Sequence, residues 1–187
     1  MSTNKKVLIP IANGSEEIET VCIQDTLVRF GADVTLASVD GDTTTTMSRG
    51  LKIRADTSVV DACKSGEDWD LIVLPGGVAG AERLRDSTAL IALLQGHAAA
   101  RKLYGAICAA PALVLEPHGL IPLHALATSY PKFLDKLQNP SALRVVVADN
   151  LVTSQGPGTA LEFALELGEQ LFGKDRREEI AKQLLVK

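Results

Sequence analysis

The sequence predicts an α/β fold, a mostly parallel sheet with helices on both faces, and three observations carry that reading. Short, largely apolar runs recur at 7–12, 34–38, 70–74, 103–107 and 145–148, as expected of strands buried on both faces. Between them lie amphipathic stretches of ordinary helical length at 16–30, 88–101 and 159–172, and strands alternating with helices imply a parallel sheet covered on both sides. The ends of these stretches carry matching punctuation. Ser15 and Ser87 stand as N-caps, Glu16 and Glu17 fill a first turn, and Gly31 and Gly173 follow last turns.

Taken in order, VLIPIA at 7–12 opens the chain as a strand, and the 16–30 helix brings it back to VTLAS at 34–38. Thr43 to Thr46 then reads as a loop and Met47 to Ile53 as a short strand pair, interrupting the alternation. DLIVL at 70–74, LYGAI at 103–107 and VVVA at 145–148 complete the predicted strands. In the 159–172 helix, Leu161, Ala164, Leu165, Gly168, Leu171 and Phe172 share one stripe, with Glu162, Glu166 and Glu169 facing away. Residues 175–185 read as a final surface helix whose Arg176, Arg177, Glu178 and Glu179 face solvent. No repeat or linker interrupts the 187 residues, a length that suits one domain over 1–187.

Composition narrows the function classes. Hydrophobic residues at 46% and charged residues at 22% exclude disordered, collagen-like and coiled-coil chains. Nineteen Lys and Arg against 23 Asp and Glu leave a net charge of −4, with no basic patch for nucleic acid. Four Phe, two Tyr and one Trp are too few to build base-stacking platforms. Pro10, Asn13 and Gly14 break the first apolar run, so no secretion leader is expected. The Tyr104–Leu115 run falls well short of the ~20 residues that span a bilayer. The expected location is therefore the cytoplasm, where thiols stay reduced. Asn13-Gly14-Ser15 is then no glycosylation site.

Three cysteines, Cys22, Cys63 and Cys108, show neither a disulfide framework nor Cys/His spacing for zinc, so no metal is expected. Leu161 stands where a dinucleotide fingerprint on Gly156 and Gly158 would need its third glycine, and no P-loop is present. Nucleotide cofactors are disfavoured.

In open α/β sheets ligands bind beyond the carboxyl ends of the strands. Four turns there are unusual: Asn13 to Glu19, Pro75 to Gly80, Cys108 to Pro111 and Ser154 to Thr159. Cys108 ends an apolar strand, and Pro111 suits an early helical position, so the thiol sits on a sharp strand-to-helix turn of the nucleophile-elbow kind. A helix N-terminus lowers a cysteine pKa below its ordinary ~8.5 and favours the reactive thiolate. The plainer reading is a small buried hydrophobe at a strand end. Gly76 and Gly77 permit close backbone approach, so that an amide there can join that of Ala109 in an oxyanion hole; they also suit a mere tight turn. Glu19 allows two readings as well. It is either a first-turn acid like Glu16 and Glu17, or an inward carboxyl kept protonated by burial. His97, His118 and His124 read as structural or exposed.

These residues resemble a known family. Gly14-Ser15-Glu16-Glu17-Ile18-Glu19-Thr20, Leu74-Pro75-Gly76-Gly77, Ala106-Ile107-Cys108-Ala109-Ala110-Pro111 and Thr153-Ser154-Gln155-Gly156-Pro157-Gly158-Thr159 are similar, in order and separation, to motifs of the ThiJ/PfpI superfamily, in its DJ-one and YajL branch. The likeness runs from about Lys5 to Leu185. It implies a flavodoxin-like three-layer sandwich, akin to class I glutamine amidotransferases, and a homodimer. It also implies a nucleophilic cysteine at Cys108, a protonated glutamate at Glu19 and oxyanion amides at Gly77 and Ala109. Arg29 and Arg49 match arginines near the family's pocket, the second reaching it from the partner subunit.

Departures qualify the likeness. Tyr130 stands where the human relative has a histidine, and tyrosine is a poor base at neutral pH but a good hydrogen-bond donor. Ala109 follows Cys108 where hydrolytic relatives carry a histidine, which argues against peptide hydrolysis. Gln155 replaces an arginine and weakens an anion site.

The function implied is detoxification or repair. Cys108 adds to methylglyoxal, glyoxal or their early glycation adducts, as in a glutathione-independent glyoxalase or protein deglycase with a role in oxidative stress. The alternative is a redox-sensing stress chaperone in which Cys108 is oxidised to a sulfinate. A flavin-binding electron carrier on the same fold is a third, weaker option. The expected partners are a small aldehyde or glycated substrate and a second copy, with neither nucleic acid nor membrane. Cys22 reads as packing and Cys63 as an exposed thiol.

Overall fold

The computed structural model describes residues 4–186. Strand β1 (Lys6–Ile11) leads through a tight turn into helix α1 (Glu17–Phe30), which returns the chain to β2 (Asp33–Ser38). A hairpin of β3 (Thr44–Thr46) and β4 (Lys52–Arg54) follows, then β5 (Thr57–Ser58), α2 (Val59–Lys64) and β6 (Leu71–Leu74). Helices α3 (Val78–Asp86) and α4 (Thr88–Ala99) precede β7 (Leu103–Ile107), and the antiparallel pair β8 (Val145–Ala148) and β9 (Leu151–Ser154) precedes α5 (Ala160–Phe172) and α6 (Lys174–Gln183).

The main sheet has seven strands in the order β5-β2-β1-β6-β7-β9-β8, all parallel to their neighbours except β8 against β9. Val7 lies between Val34 of β2 and Leu71 of β6, so the central ladders pair apolar residues with apolar residues. Helices α1, α5 and α6 pack together against one face, and α2, α3 and α4 against the other. This is the flavodoxin-like α/β sandwich. Both faces are dry: Leu8, Ile9, Leu71, Ile72 and Phe163 are fully buried, and burying side chains of this size contributes ~1.5–3 kcal/mol each.

Several local expectations change. Thr44–Thr46 is a strand, and the hairpin pairs Thr44 with Arg54, so its strands flank residues 47–51 instead of lying within 47–53. Strand β9 emerges from LVTS because buried structure satisfies its hydroxyls: Thr153 Oγ1 accepts from the Thr128 amide at 3.0 Å and Ser154 Oγ donates to the Arg144 carbonyl at 2.8 Å. Helix α3 forms despite Gly80, whose glycine is needed because a Cβ there would fall 2.4 Å from the Ser15 nitrogen. Ser15 does not cap α1; its hydroxyl accepts from the Ala12 amide at 3.0 Å, and Glu16 reaches back to the Glu19 amide at 2.8 Å instead.

On α5, Leu161 is 38% exposed while Phe163 and Leu167 are buried, because this helix is covered by the sheet on one side and by α1 and α6 on another. Arg177 of α6 does not face solvent alone; it bridges Glu166 and Glu169 of α5 and docks the last helix. Cys63 is half-buried, with its thiol 3.6 Å from the Ala89 carbonyl, not freely exposed. His97 is buried and its Nε2 hydrogen-bonds the Leu103 carbonyl at 2.8 Å, a structural role. No helix among the described residues is long and apolar enough to cross a membrane.

Candidate active site

Strand order decides what meets at the carboxyl rim. The sheet reverses direction of growth at β1, and β6 lies between β1 and β7, so the turns after these three strands converge at the position where such folds bind ligands.

Cys108 occupies the turn after β7. Its φ of 64° puts a non-glycine residue in the left-handed region, a conformation that costs ~1–3 kcal/mol and persists only when the surroundings hold it. They do hold it on both sides. The Cys108 amide donates to the Ser154 carbonyl at 3.0 Å, and the Cys108 carbonyl accepts from the Tyr130 amide at 2.7 Å and from Ser129 Oγ at 2.5 Å. The side chain is thereby turned back over the end of β6. There the amides of Gly77 and Ala109 lie near enough to its sulfur to favour the anion.

Glu19 comes from the first turns of α1 and is fully buried. Its Oε2 accepts from the Gly76 amide at 2.7 Å, while Oε1 is buried without a hydrogen-bond partner of normal geometry. Gly76 is required by close approach: a Cβ there would sit 2.5 Å from Cys108 Cβ and 2.8 Å from Glu19 Oε2. Gly77 is required by conformation, since it caps α3 at a φ of 83°.

Burial lifts the Glu19 carboxyl from 4.5 to about 7, with the nearby Glu16 charge adding to the rise and the Gly76 amide opposing it. The inward reading of Glu19 is thus the one the geometry supports. Cys108 departs from the sequence expectation. Its thiol is pushed up to about 12, first by burial and then by the Glu19 charge, against the pull of the Gly77 and Ala109 amides. Burial explains the reversal: the residue is only 9% exposed, so desolvation penalises the anion, and it outweighs what the amides at the start of the following helical segment, Pro111–His118, contribute. One proton is therefore shared between a raised thiol and a raised carboxyl, and the pair titrates as a unit.

Cys108 opens into a cleft of about 610 Å³ walled by Arg49, Met47, Tyr130, Phe133 and Lys132. Tyr130 stands at the mouth, 44% exposed. Arg49 reaches the cleft from the same chain, because Glu17 fastens its loop: the Glu17 carboxylate accepts from Ser48 Oγ at 2.6 Å and from the Arg49 amide at 2.7 Å. Arg29 is not brought to this cleft. It lies in the last turn of α1, about 15 Å along the helix axis from Glu19 at 1.5 Å per residue, and pairs with Asp25 at 2.7 Å. Gln155 turns outward to the Ala142 carbonyl at 3.0 Å. Sequence reading did not single out Met47, Lys132, Phe133 or Ser129; Met47 and Ser129 lie in irregular segments and Lys132 and Phe133 in a short 3-10 helix, Pro131–Lys136, where periodicity carries little signal. Among the described residues no three His, Cys, Asp or Glu side chains converge as a metal cluster would.

Fold and cleft together define a class: flavodoxin-like sandwiches that present an elbow cysteine over a buried carboxyl. The chain belongs to the DJ-1/PfpI family, whose family model matches residues 5–170. It is 45% identical over 183 residues to protein DJ-1 homolog B of Arabidopsis thaliana, covering 97% of this chain and 41% of the plant protein, so it spans less than half of that relative's length. It is 32% identical over 193 residues to glutathione-independent glyoxalase DJR-1.2 of Caenorhabditis elegans, covering 100% and 99% of the two chains. The solved structure of oxidized Toxoplasma gondii DJ-1 superposes with a TM-score of 0.93 at 47% identity, covering 97% of this chain and 98% of that one.

Proposed function

We propose that the protein is a cysteine-dependent enzyme acting on reactive dicarbonyls, methylglyoxal and glyoxal, and on their early glycation adducts, in the manner of a glutathione-independent glyoxalase or deglycase. One observation carries the reading: Glu19, a buried carboxyl raised to about 7, sits beside Cys108 with its Oε1 free of other partners. Such a group takes up and returns protons near neutral pH, as a shuttle must. A nematode relative named as a glutathione-independent glyoxalase, 32% identical over the whole chain, supports it.

In this mechanism ionised Glu19 takes the thiol proton as sulfur attacks the aldehyde carbon, forming a C–S bond and a hemithioacetal. The Gly77 and Ala109 amides, which favour the sulfur anion, stabilise the oxygen charge that develops beside it. Glu19 returns that proton to the oxygen, completing the hemithioacetal. Ionised again, it removes the proton from the former aldehyde carbon and delivers it to the neighbouring carbon through an enediol, while the hydroxyl proton passes to the neighbouring oxygen, leaving a thioester. Water cleaves the C–S bond, the thiol recovers its proton, and the sum is methylglyoxal plus water giving lactate. Lactate formation from methylglyoxal should disappear in Cys108→Ala and in Glu19→Gln; full retention in either variant overturns the reading.

A second reading is favoured by one comparison, the similarity to a DJ-1 structure described as oxidized. Here two equivalents of peroxide convert the Cys108 thiol through a sulfenic acid to a sulfinate, which protonated Glu19 and the two amides hold, and the protein acts as a redox-sensing chaperone. Intact-mass measurement after mild peroxide distinguishes the two: selective gain of two oxygens with negligible lactate formation favours the sensor. We further propose a cytoplasmic homodimer without nucleic-acid or membrane partners. Ile18, Val21 and Val28, about half-exposed on α1, supply apolar surface for the second copy.

A further inference from the structure

Ser129 lies outside the cleft and is fully buried behind the Cys108 turn. Its Oγ donates to the Cys108 carbonyl at 2.5 Å, and the neighbouring Tyr130 amide donates to the same oxygen at 2.7 Å. The backbone around it is fixed in turn, since the Thr128 amide donates to Thr153 Oγ1 of β9 at 3.0 Å and Ala127 bridges to Pro140. Two donors thus converge on the carbonyl of the one residue in the site that holds a strained φ of 64°. A carbonyl with two lone pairs takes both bonds. Rotation of Cys108 toward an ordinary φ would swing this carbonyl away from both donors and carry the sulfur off the Gly77 and Ala109 amides.

We infer that Ser129 is a positioning residue for Cys108: its hydroxyl locks the Cys108 carbonyl, holds the elbow in its left-handed conformation and so keeps the sulfur against the two amides that stabilise its anion. The hydroxyl touches neither substrate nor sulfur and acts only through the backbone. As far as turnover is concerned the inference rests on the reaction proposed above, but its effect on the thiol does not.

Two readouts on Ser129→Ala test it. The first is site-resolved alkylation of Cys108 by iodoacetamide across pH, which needs no enzyme activity. The sulfur displaced from its amides should alkylate about tenfold more slowly at neutral pH, with its pH midpoint moved upward, a tenfold change being worth about 1.4 kcal/mol. A turn that merely loosened would expose the thiol and speed alkylation at every pH, and that result overturns the inference. The second readout is methylglyoxal turnover, where kcat should fall about tenfold with KM unchanged, since misplacement of a reacting atom acts on the chemical step. Ser129→Thr restores the hydroxyl and should recover both quantities, whereas Ser129→Val, which matches threonine in shape, should not. Equal behaviour of the Thr and Val variants overturns the inference even if Ser129→Ala fails to fold. A wild type that makes no lactate while alkylation follows the pattern above removes the proposed reaction and leaves the role of Ser129 standing.

Discussion

Replacing Glu19 with glutamine should change how stability depends on pH, by an amount that follows from burial. The carboxyl is fully buried and its pKa is raised from 4.5 to about 7, chiefly by desolvation. At 1.36 kcal/mol per pKa unit, that rise corresponds to ~3 kcal/mol of preference for the neutral acid in the folded state. Below pH 4.5 both folded and unfolded chains are protonated and the preference is fully present. Between 4.5 and 7 the unfolded chain has released its proton and the folded chain has not, so stability falls as pH rises; above 7 the loss is complete.

Glutamine keeps the shape, and its carbonyl can still accept from the Gly76 amide, but it does not titrate. Urea unfolding of wild type and Glu19→Gln at fixed protein concentration, from pH 4.5 to 8.5, isolates the effect. His97, whose pKa is lowered by burial and which titrates in the opposite sense, is common to both proteins and cancels. The difference in unfolding free energy should shift by ~3 kcal/mol in favour of the glutamine variant as pH rises, most of it before pH 7.5. Parallel stability curves would show that Glu19 is not a desolvated carboxyl, and the shuttle built on it would go too.

Three further outcomes follow from the same geometry. Because ionised Glu19 must take the Cys108 proton, kcat/KM for methylglyoxal should rise with pH through an apparent pKa of about 7 and then hold level to pH 9, the thiol itself lying far higher; a flat or falling profile between pH 5.5 and 8 contradicts this. Gly76→Ala drives a methyl group to 2.5 Å from Cys108 Cβ and 2.8 Å from Glu19 Oε2, so thermal denaturation should show a loss of about 1–3 kcal/mol from overpacking, together with loss of lactate formation. Arg49→Ala should raise KM for methylglyoxal, because Arg49 lines the cleft, while Arg29→Ala should leave both kcat and KM alone, because its guanidinium is engaged with Asp25 at the far end of α1; equal effects of the two would refute that placement.

Much of the fold is legible locally. LYGAI and VVVA form strands at their sequence bounds, β7 (Leu103–Ile107), an apolar run covered by neighbours, and β8 (Val145–Ala148), a β-branched run on the sheet edge with Val147 exposed. Ser87 caps α4 and Gly31 closes α1 in a left-handed conformation, as short-range hydrogen-bonding rules require. Strand β9 is less legible. LVTS looks like the start of a turn until Thr128 and Arg144, distant in sequence, engage its hydroxyls.

The candidate site divides in the same way. The order of residues by itself determined that Cys108 ends a strand, that two glycines end another, and that Glu19 begins a helix, since each depends on neighbours a few positions away. Only the tertiary structure decided that Glu19 points inward, that Arg49 and not Arg29 lines the cleft of its own chain, and that the thiol is raised instead of lowered. The last of these shows why. The pull of neighbouring amides is a local property, but desolvation and the charge of Glu19 arise from what the fold packs around the sulfur, and near a buried anion those long-range effects are the larger ones.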